Sequence, residues 1–475
     1  MKICVLQPDY SASDVDYGTW DPYRDLTTIL AGHTVDHVKL DKRFTFRDLK
    51  ALSTQGYDCF LNLCEGYPEW DVPGIDVIDA LERLNLPFTG PSSTYYDVPK
   101  TLMKYVAYAA GVRTPKYLLA TTDQPVDLVA ADLAFPLFVK AAHAGDSRGI
   151  DARSLVRDRE SLDRQVAAMH AEFRDVLVEE YIEGRELTVL IVASPDERGD
   201  PIALTPVEYV FPTPIKYKTY ANKTSELHPN ANIPVHDAAL AARVRDAAMQ
   251  VFRGFEAVGY GRMDFRVDAA GNIYFLEVNF TCSVFYAGGY EGSADYILKY
   301  DPLGQSGFAE RIIAEGIARH RRRQKAYAVR GNAIAGYGIF ATRNISAGDV
   351  VFVGEGRANR IVTQRHVHNS WRTDDQKIFR QYAYPLSDDV FMLWETDPMA
   401  WAPQNHSCDP NTAFDGLNVV ARRSIPKDTE LTLDYGAFLS DRSEPFACHC
   451  TAANCRGTIV GTQGNSVTAR ERTRQ

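Results

Sequence analysis

Over roughly the first 320 residues, short apolar runs alternate with longer segments in which apolar residues recur at helical spacing. The apolar runs predict buried strands at 135–140, 176–178 and 187–192. Two further runs, at 262–267 and 273–278, flank a polar turn with a glycine and predict a β-hairpin. Helices are predicted near 74–85, 100–111, 158–172, 236–257 and 305–323. Such alternation is typical of an α/β fold.

The pattern changes after a basic run at 319–325, beyond which short β segments are separated by glycines. A basic run can dock a partner, but we interpret this one as a solvated helix end that enters a linker. A chain of 475 residues also exceeds what one hydrophobic core supports. We therefore predict an α/β domain at 1–320, a mostly-β domain at 326–461 and a polar, disordered tail at 462–475.

Composition narrows the classes of function. Hydrophobic residues make up 45% of the chain and charged residues 24%, as in ordinary globular proteins. The net charge of -10 argues against a broad nucleic-acid-binding face, and no apolar run reaches the length of a membrane span. Eight cysteines are too few for a disulfide scaffold in a chain of this length. We expect a cytoplasmic protein that binds neither nucleic acid nor membranes.

The strand predicted at 135–140 ends in residues suited to phosphates. Lys140 closes the strand, and a loop of small residues that includes Ser147 follows it. Glycine in such a loop lets backbone N–H groups approach phosphate oxygens, although most glycine loops are only turns. Downstream, the segment 177–186 offers an aromatic side chain and carboxylates, which suit a purine base and ribose hydroxyls. Together these segments favour a nucleotide site.

Oxygen ligands for a cation lie on the two arms of the predicted hairpin. Asp264 is on the first arm, whereas Glu277 and Asn279 are on the second. Oxygens placed in this way fit Mg²⁺ that bridges nucleotide phosphates. The alternative is that they are solvated strand ends, but three oxygen ligands that converge with Arg262 favour the metal site.

These segments resemble the ATP-grasp superfamily, in particular the D-alanine–D-alanine ligase-like branch, over roughly residues 1–318. The resemblance extends to the motifs at 86–91 and 110–115 and to the pair Lys100 and Lys104. It implies contacts to the ATP phosphates from Lys100, Lys140, Ser147 and Lys218. It implies an adenine site of Glu179, Tyr181 and Ile182, a ribose contact from Glu186, a magnesium site of Asp264, Glu277 and Asn279, and oxyanion stabilisation by Arg262.

Ligases of this family activate a carboxylate with the γ-phosphate of ATP and then join the acyl phosphate to an amine. The present sequence departs from them at three places. The segment 279–284 replaces the small Ser-Pro-Gly run beside the second substrate, Cys64-Glu65-Gly66 replaces a His-Gly motif, and Pro99 precedes Lys100 where Asp is usual. We therefore expect ATP use with a substrate other than D-alanine.

The most specific motif in the C-terminal region is a set of cysteines. Cys448, Cys450 and Cys455 follow the spacing Cys-x-Cys-x4-Cys, and Cys408 stands upstream in a Cys-x-Pro-Asn motif. Four thiolates are what a closed tetrahedral zinc site requires. The alternative, four unrelated small buried residues, does not account for the spacing. We predict a zinc site.

The same region resembles the SET domain and its post-SET zinc cap, the fold of S-adenosylmethionine-dependent lysine methyltransferases. The segment 336–342 resembles the opening of that domain, and Asn405-His406 resembles its cofactor-binding knot. The resemblance implies cofactor contacts from Gly336, Tyr337, Gly338, Asn405 and His406. It also implies that Tyr435 is the catalytic tyrosine. A tyrosine alone would more often be a core or edge residue, but this one lies between the knot and the cysteines.

Two interpretations follow, and we prefer the first. In it, the chain is a bifunctional enzyme that forms an amide or peptide bond with ATP and methylates an amine on a related amino acid or peptide. In the second, it is a protein-lysine methyltransferase whose ATP-grasp half recognises a substrate or partner. A homodimer is expected because related ligases often dimerise.

Overall fold

The computed structural model describes residues 1–19, 21–67, 70–122, 126–143, 149–196, 199–211, 216–218, 232–332, 336–354, 360–386, 389–393, 404–439, 441 and 445–462. It divides into two compact units, Met1–Arg323 and Gln324–Gln475, which we describe separately. Among the described residues, no helix is both long and apolar enough to cross a bilayer.

Unit 1 begins with a small parallel sheet in the order β2-β1-β3. Its strands are β1 (Lys2–Pro8), β2 (Thr34–Leu40) and β3 (Cys59–Asn62), and its helices are α1 (Thr45–Leu52) and α2 (Ile75–Arg83). Residues 3–8 of β1 are all buried, as expected for a strand covered on both faces.

A second sheet is antiparallel, with the order β4-β7-β5-β6. Its elements are β4 (Tyr117–Ala120), β5 (Leu137–Ala141), β6 (Leu155–Val156), β7 (Val176–Glu180) and helix α4 (Arg159–His170). Apolar residues of β5 and β7, such as Val139 and Val178, share one core with Leu162 of α4. The strands predicted at 135–140 and 176–178 are therefore confirmed.

The third sheet has six strands. Its elements are β8 (Arg185–Val192), β9 (Ile202–Ala203), β10 (Val207–Tyr209), β11 (Asn232–Pro234), β12 (Tyr260–Val267) and β13 (Ile273–Asn279). The order is β11-β10-β8-β12-β13, with β9 paired to β8. A turn joins β12 to β13, which confirms the predicted hairpin.

Alternation along the central strands decides where the polar side chains point. On β12, Met263, Phe265 and Val267 enter the core that contains helices α3 (Lys100–Ala109) and α5 (Ala238–Gly254). Because side chains alternate between the faces of a strand, the intervening residues at 262, 264 and 266 face the other way. The three charged residues of the strand are therefore gathered on one face.

The remaining helices of unit 1 are α3 (Lys100–Ala109), α5 (Ala238–Gly254), α6 (Ser293–Tyr300) and α7 (Gly304–Arg323). All five predicted helices are present. The last helix ends at Arg323, and Arg321 to Arg323 are exposed, in agreement with the interpretation of the basic run. For Arg319, which opens the run, the interpretation was wrong, because this residue is buried and donates to the carbonyls of Phe88 and Gly90. Asp237 caps α5, since its carboxylate accepts from the N–H groups of Ala239 and Leu240.

Unit 2 is built from small sheets of two or three strands, in the pairings β14-β15, β16-β22-β21, β17-β19-β18, β20-β23 and β24-β25. The strands are β14 (Tyr327–Asn332), β15 (Gly336–Ala341), β16 (Val350–Phe352), β17 (Arg360–Thr363), β18 (Tyr384–Pro385), β19 (Val390–Leu393), β20 (Asn405–His406), β21 (Thr412–Asp415), β22 (Asn418–Ala421), β23 (Thr432–Leu433), β24 (Phe446–Ala447) and β25 (Thr458–Ile459).

Two helices interrupt the β segments of unit 2, α8 (Gln364–Ser370) and α9 (Thr373–Tyr382), and the sequence did not predict them. Both are rich in polar residues, and the buried side chains described in them are Val367 and Phe379. With so few apolar positions, the helical period is weak. The mostly-β description of this region is otherwise confirmed.

Candidate active sites and metal centre

A cleft in unit 1 collects most of the residues predicted to bind the nucleotide. Its volume is about 610 Å³, including the part open to solvent. The residues that line it are Phe138, Lys140, Ile150, Glu179, Glu180, Tyr181, Ile182, Glu186, Tyr217, Lys218, Asp264, Arg266, Leu276 and Glu277. The strands β5, β7, β8, β12 and β13 each contribute to this wall. Residues far apart in the sequence are therefore brought to one site.

Two lysines share one buried carboxylate at the wall of this cleft. Glu179 lies 2.6 Å from Nζ of Lys104 through one oxygen and 2.6 Å from Nζ of Lys140 through the other. Burial works to raise the pKa of Glu179, but the two ammonium groups outweigh it and lower the pKa. Burial lowers the pKa of Lys104 to about 8. Two cations beside one anion leave positive charge for a phosphate.

Arg266, which the sequence analysis did not single out, contacts three of the residues predicted to hold the nucleoside. Its guanidinium lies 4.9 Å from the ring centre of Tyr181 and donates to the carbonyl of Ile182 at 3.0 Å. It also donates to Glu186 at 3.0 Å, directly across the β8–β12 pairing. Its position two residues after Asp264 on a strand was the available signal.

The predicted magnesium ligands lie on the paired strands β12 and β13. Asp264 stands opposite Glu277, and Arg262 stands opposite Asn279. Glu277 lies 3.4 Å from Nζ of Lys100, and Asp264 lies 3.3 Å from Arg262. Carboxylates on adjacent strands with cations around them fit a hard metal ion between phosphate oxygens.

Two predicted phosphate contacts remain, Lys218 and Ser147. Lys218 lines the cleft, and its Nζ donates to Oγ of Ser293 at 3.3 Å. Ser147 lies outside the described residues.

The cleft also has an aromatic wall. Phe138 stacks on Tyr181 with ring centres 6.1 Å apart, which suits a nucleotide base.

In unit 2 the predicted cofactor segments meet around one carboxylate, that of Glu430. Its two oxygens accept from the amides of Asn405 at 2.8 Å and Asn332 at 2.7 Å. Asn405 also donates to the carbonyl of Tyr337 at 2.8 Å. A Cβ added at Gly338 would lie 2.2 Å from a carboxylate oxygen of Glu430, so a side chain at this position would displace the Glu430 carboxylate. Sequence reasoning missed Glu430, although it lies two residues before the strand β23 that leads to the predicted catalytic tyrosine.

Hydrogen bonds fix both the side-chain hydroxyl and the backbone of Tyr435. Its hydroxyl donates to the carbonyl of Gln404 at 2.5 Å, and its backbone N–H donates to Nδ1 of His406 at 3.1 Å. Asn411 ties the surrounding segments together, because its amide bonds the backbone of Glu430 and Thr432. A phenol fixed in this way can orient a reacting group next to it.

A cluster of sulfur and nitrogen atoms lies beside Tyr435. His406, Cys408, Cys448 and Cys450 place their ligand atoms within 4.8 Å of one another, which suits a metal ion. Burial works to raise the pKa of Cys450, but N–H groups of Cys408 and Ala452 that donate to its sulfur lower the pKa to about 6. Such a thiol supplies a thiolate readily.

The fourth ligand of a metal ion held by Cys408, Cys448 and Cys450 would be either His406 or Cys455. The sulfur of Cys455 lies outside the group and donates to the carbonyl of Cys448 at 3.9 Å. Because Nδ1 of His406 accepts an N–H, its proton belongs on Nε2, which faces the sulfur of Cys408 at 3.4 Å. In this tautomer the ring N–H donates to the sulfur of Cys408. The sequence prediction of Cys455 as the ligand therefore stays a prediction.

Comparison with known families gives two matches. Residues 106–284 match the family model "D-ala D-ala ligase C-terminus", and residues 336–436 match the SET domain model. The two matches fall in different units, and each includes most of the residues predicted to act there.

Individual relatives match the first unit. The D-alanine–D-alanine ligase of Bordetella petrii is 32% identical over 240 residues, which cover 49% of this chain and 69% of the relative. The D-alanine–D-alanine ligase of Geobacter sulfurreducens is 31% identical, over 49% of this chain and 76% of its own. A solved structure of the Coxiella burnetii ligase aligns with 68% of this chain and 97% of its own, at 17% identity and a TM-score of 0.49.

Proposed function

Because the chain belongs to the D-alanine–D-alanine ligase family and carries a SET domain, we propose that it is a bifunctional enzyme. One half is an ATP- and Mg²⁺-dependent carboxylate–amine ligase. The other half is an S-adenosylmethionine-dependent N-methyltransferase that acts on a lysine or another amine. The amine and carboxylate are those of amino acids or short peptides.

The ligase half rests on one observation, the meeting of Lys140, Glu179, Glu186, Asp264 and Glu277 in one cleft. In the proposed reaction a substrate carboxylate attacks the γ-phosphate of ATP, giving ADP and an acyl phosphate. An amine then attacks the acyl carbon, an amide forms and phosphate leaves. The residues act by positioning and by neutralising charge, which dominate phosphoryl transfer.

Specific roles follow from the contacts in the cleft. Lys100 and Lys140 neutralise phosphate oxygens, while Arg262 stabilises the oxyanion that forms on the acyl carbon. Asp264, Glu277 and Asn279 would hold Mg²⁺, which would supply positive charge to the phosphates of the nucleotide. The side-chain amide nitrogen of Asn279 is buried without a hydrogen-bond partner among the described residues. Its amide oxygen is the atom that a metal takes.

In the methyltransferase half, S-adenosylmethionine supplies the methyl group when bound. The backbone from Gly336 to Gly338 and the knot of Asn405 and His406 hold the cofactor. Tyr435 orients the amine and stabilises charge near the transferring group, since its hydroxyl and backbone are already fixed. Zinc held by Cys408, Cys448, Cys450 and Cys455 orders the chain end beside this tyrosine.

The test is release of ADP by the full chain with Mg²⁺, across free amino acids and short peptides, singly and in pairs. We expect release that depends on one carboxylate and one amine, and the product becomes the first methyl acceptor to try. Absence of release with every pair would contradict the ligase proposal. Methylation of protein lysines in that case would support the alternative, in which the ATP-grasp half recognises a partner.

A further inference from the structure

The carboxylate of Glu65 meets a residue of the distant segment that follows the candidate magnesium hairpin. Ser283, four residues beyond Asn279, donates a hydrogen bond from Oγ to Oε2 of Glu65. Glu65 follows strand β3, so the contact joins residues 218 positions apart. The two segments in contact, 63–66 and 279–284, are both places where the sequence departs from the usual ligase motifs.

A buried arginine fixes this pair. Arg24, with 2% of its side chain exposed, lies 3.4 Å from Oε1 of Glu65 and 3.1 Å from Asp21. It also donates to the carbonyls of Leu63 at 3.0 Å and Val284 at 3.1 Å. Its Nε is buried without a hydrogen-bond partner among the described residues. The two terminal nitrogens of Arg24 are engaged with four protein groups, so this arginine is part of the frame rather than a ligand for an anion.

The carboxylates of Asp21 and Glu65 differ in how many further hydrogen bonds they can accept. Both oxygens of Asp21 are occupied, since Tyr286 donates to one at 2.7 Å and Tyr10 donates to the other. Glu65 receives one hydroxyl and one long contact from Arg24, whereas an ionised carboxylate can accept about four bonds. Of its side chain, 21% is exposed. Glu65 is therefore the acceptor that a ligand can reach.

The charge and location of the cluster define the ligand. Two carboxylates beside one arginine leave a net negative charge, which attracts a cation. Burial raises the pKa of Glu65 to about 7, against the lowering effect of Arg24. Burial likewise raises the pKa of the neighbouring Cys282 to about 12, and the charges of both Arg262 and Glu65 act on that thiol. Asn279, which stands opposite Arg262, ends β13 four residues before Ser283, so the cluster lies on the segment that leaves the proposed acyl-transfer site.

We propose that Glu65 and Ser283 bind the ammonium group of the amine substrate and that Glu65 accepts its proton before amide formation. This proposal rests on the proposed ligase function. The ammonium gives a proton to the carboxylate of Glu65, and the free amine attacks the carbonyl carbon of the acyl phosphate. A C–N bond forms, the bond from that carbon to the phosphate oxygen breaks, and inorganic phosphate leaves with the second proton that the nitrogen loses. The class of substrate is a primary amine that is charged at neutral pH.

Hydroxylamine separates this step from the formation of the acyl phosphate. It is largely uncharged near neutral pH and traps acyl phosphates as hydroxamates, so it needs neither an ammonium site nor a base. The experiment supplies the full chain with ATP, Mg²⁺ and each free amino acid, with either hydroxylamine or a second amino acid as acceptor. For Glu65→Gln we expect a loss of about 100-fold or more in amide formation. We expect hydroxamate formation within about twofold of the unsubstituted chain.

Two further variants separate a specific effect on the amine step from a general loss of activity or folding. Glu160→Gln, on the exposed face of α4, should leave both products unchanged. Ser283→Ala, which preserves the Arg24–Glu65 pair, should lower amide formation by a smaller factor and covers the case in which Glu65→Gln does not fold. Normal amide formation in Glu65→Gln, or equal losses of amide and hydroxamate, would overturn this proposal alone. No hydroxamate from the unsubstituted chain with any amino acid would overturn the ligase proposal and this one with it.

Discussion

The two units position their candidate sites by different physical means. In unit 1 the polar residues stand on strands whose other faces lie in large apolar cores, so packing fixes the backbone beneath them. In unit 2 the sheets have two or three strands, and Tyr435 is placed by hydrogen bonds to Gln404 and His406. The second site therefore depends on polar links and lies beside a cluster of cysteine and histidine side chains, whereas the first depends on burial.

The two units also differ in how deeply their ionisable groups are buried. Unit 1 buries Glu179 with Lys104 and Lys140, and exposed fractions of these side chains are 7% or less. In unit 2 the sulfur cluster lies near the surface, and Cys455 is exposed. Buried ion pairs are costly to break because they leave an uncompensated charge. A cluster of partly exposed thiols would instead gain its order from a bound metal ion.

Loss of zinc from the cysteine cluster should produce the largest difference between the activities of the two units. In Cys448→Ser we expect zinc and methyl transfer to fall to background, because structural zinc contributes about 10–16 kcal/mol of folding free energy in small domains. ADP release should be unchanged. Zinc content, methyl transfer from labelled S-adenosylmethionine and ADP release are measured on one preparation.

A second cysteine variant identifies the fourth ligand. We expect Cys455→Ser to lose zinc as well, since the His406 ring is protonated on the nitrogen that faces the cluster. Retained zinc in this variant would assign the fourth position to His406. Full methyl transfer without zinc would contradict the dependence of the site on the metal.

Substitution in the hairpin should produce the opposite pattern. In Glu277→Gln we expect ADP release to fall by about 10²–10³-fold, because one charged ligand to the metal is lost at the transferring phosphate. Methyl transfer should remain, since Glu277 belongs to unit 1. The matched control is Glu160→Gln, and a parallel loss of both activities would argue against independent catalytic units.

Within unit 2, the phenol of Tyr435 is the next test. Tyr435→Phe should lower methyl transfer by about 10²-fold while zinc content and ADP release stay unchanged. Tyr327→Phe removes a hydroxyl from the same unit and should have no such effect. If Tyr435→Phe transferred methyl groups at the original rate, its assignment as the catalytic tyrosine would be wrong.

The smallest effect is expected at the nucleoside end of the cleft. Arg266→Met removes a charged hydrogen bond to Glu186 and the contact with Tyr181, so the KM for ATP should rise about tenfold. The kcat for ADP release should change little, because Arg266 contacts the residues predicted to hold the nucleoside rather than the phosphates. Steady-state kinetics in ATP measures both, and a fall in kcat alone would contradict this role.

Patterns with a short range in the sequence predicted the fold well. The hairpin that carries Asp264 and Glu277 follows from two apolar runs around a turn, and the cysteine motif follows from spacing alone. Helices α8 and α9 were missed because few of their residues are apolar. Their positions depend on contacts of Val367 and Phe379 with other elements, which local pattern does not encode.

The order of residues along the chain was enough to show which chemical groups are available and which strands and loops carry them. Which of these groups meet became known from the fold: Lys104 with Glu179, Arg266 with Glu186, and Glu65 with Ser283. The physical reason is that residue type and local period are properties of neighbours in the chain. A hydrogen bond or an ion pair across 75 to 218 positions forms only when buried cores bring the separate strands together.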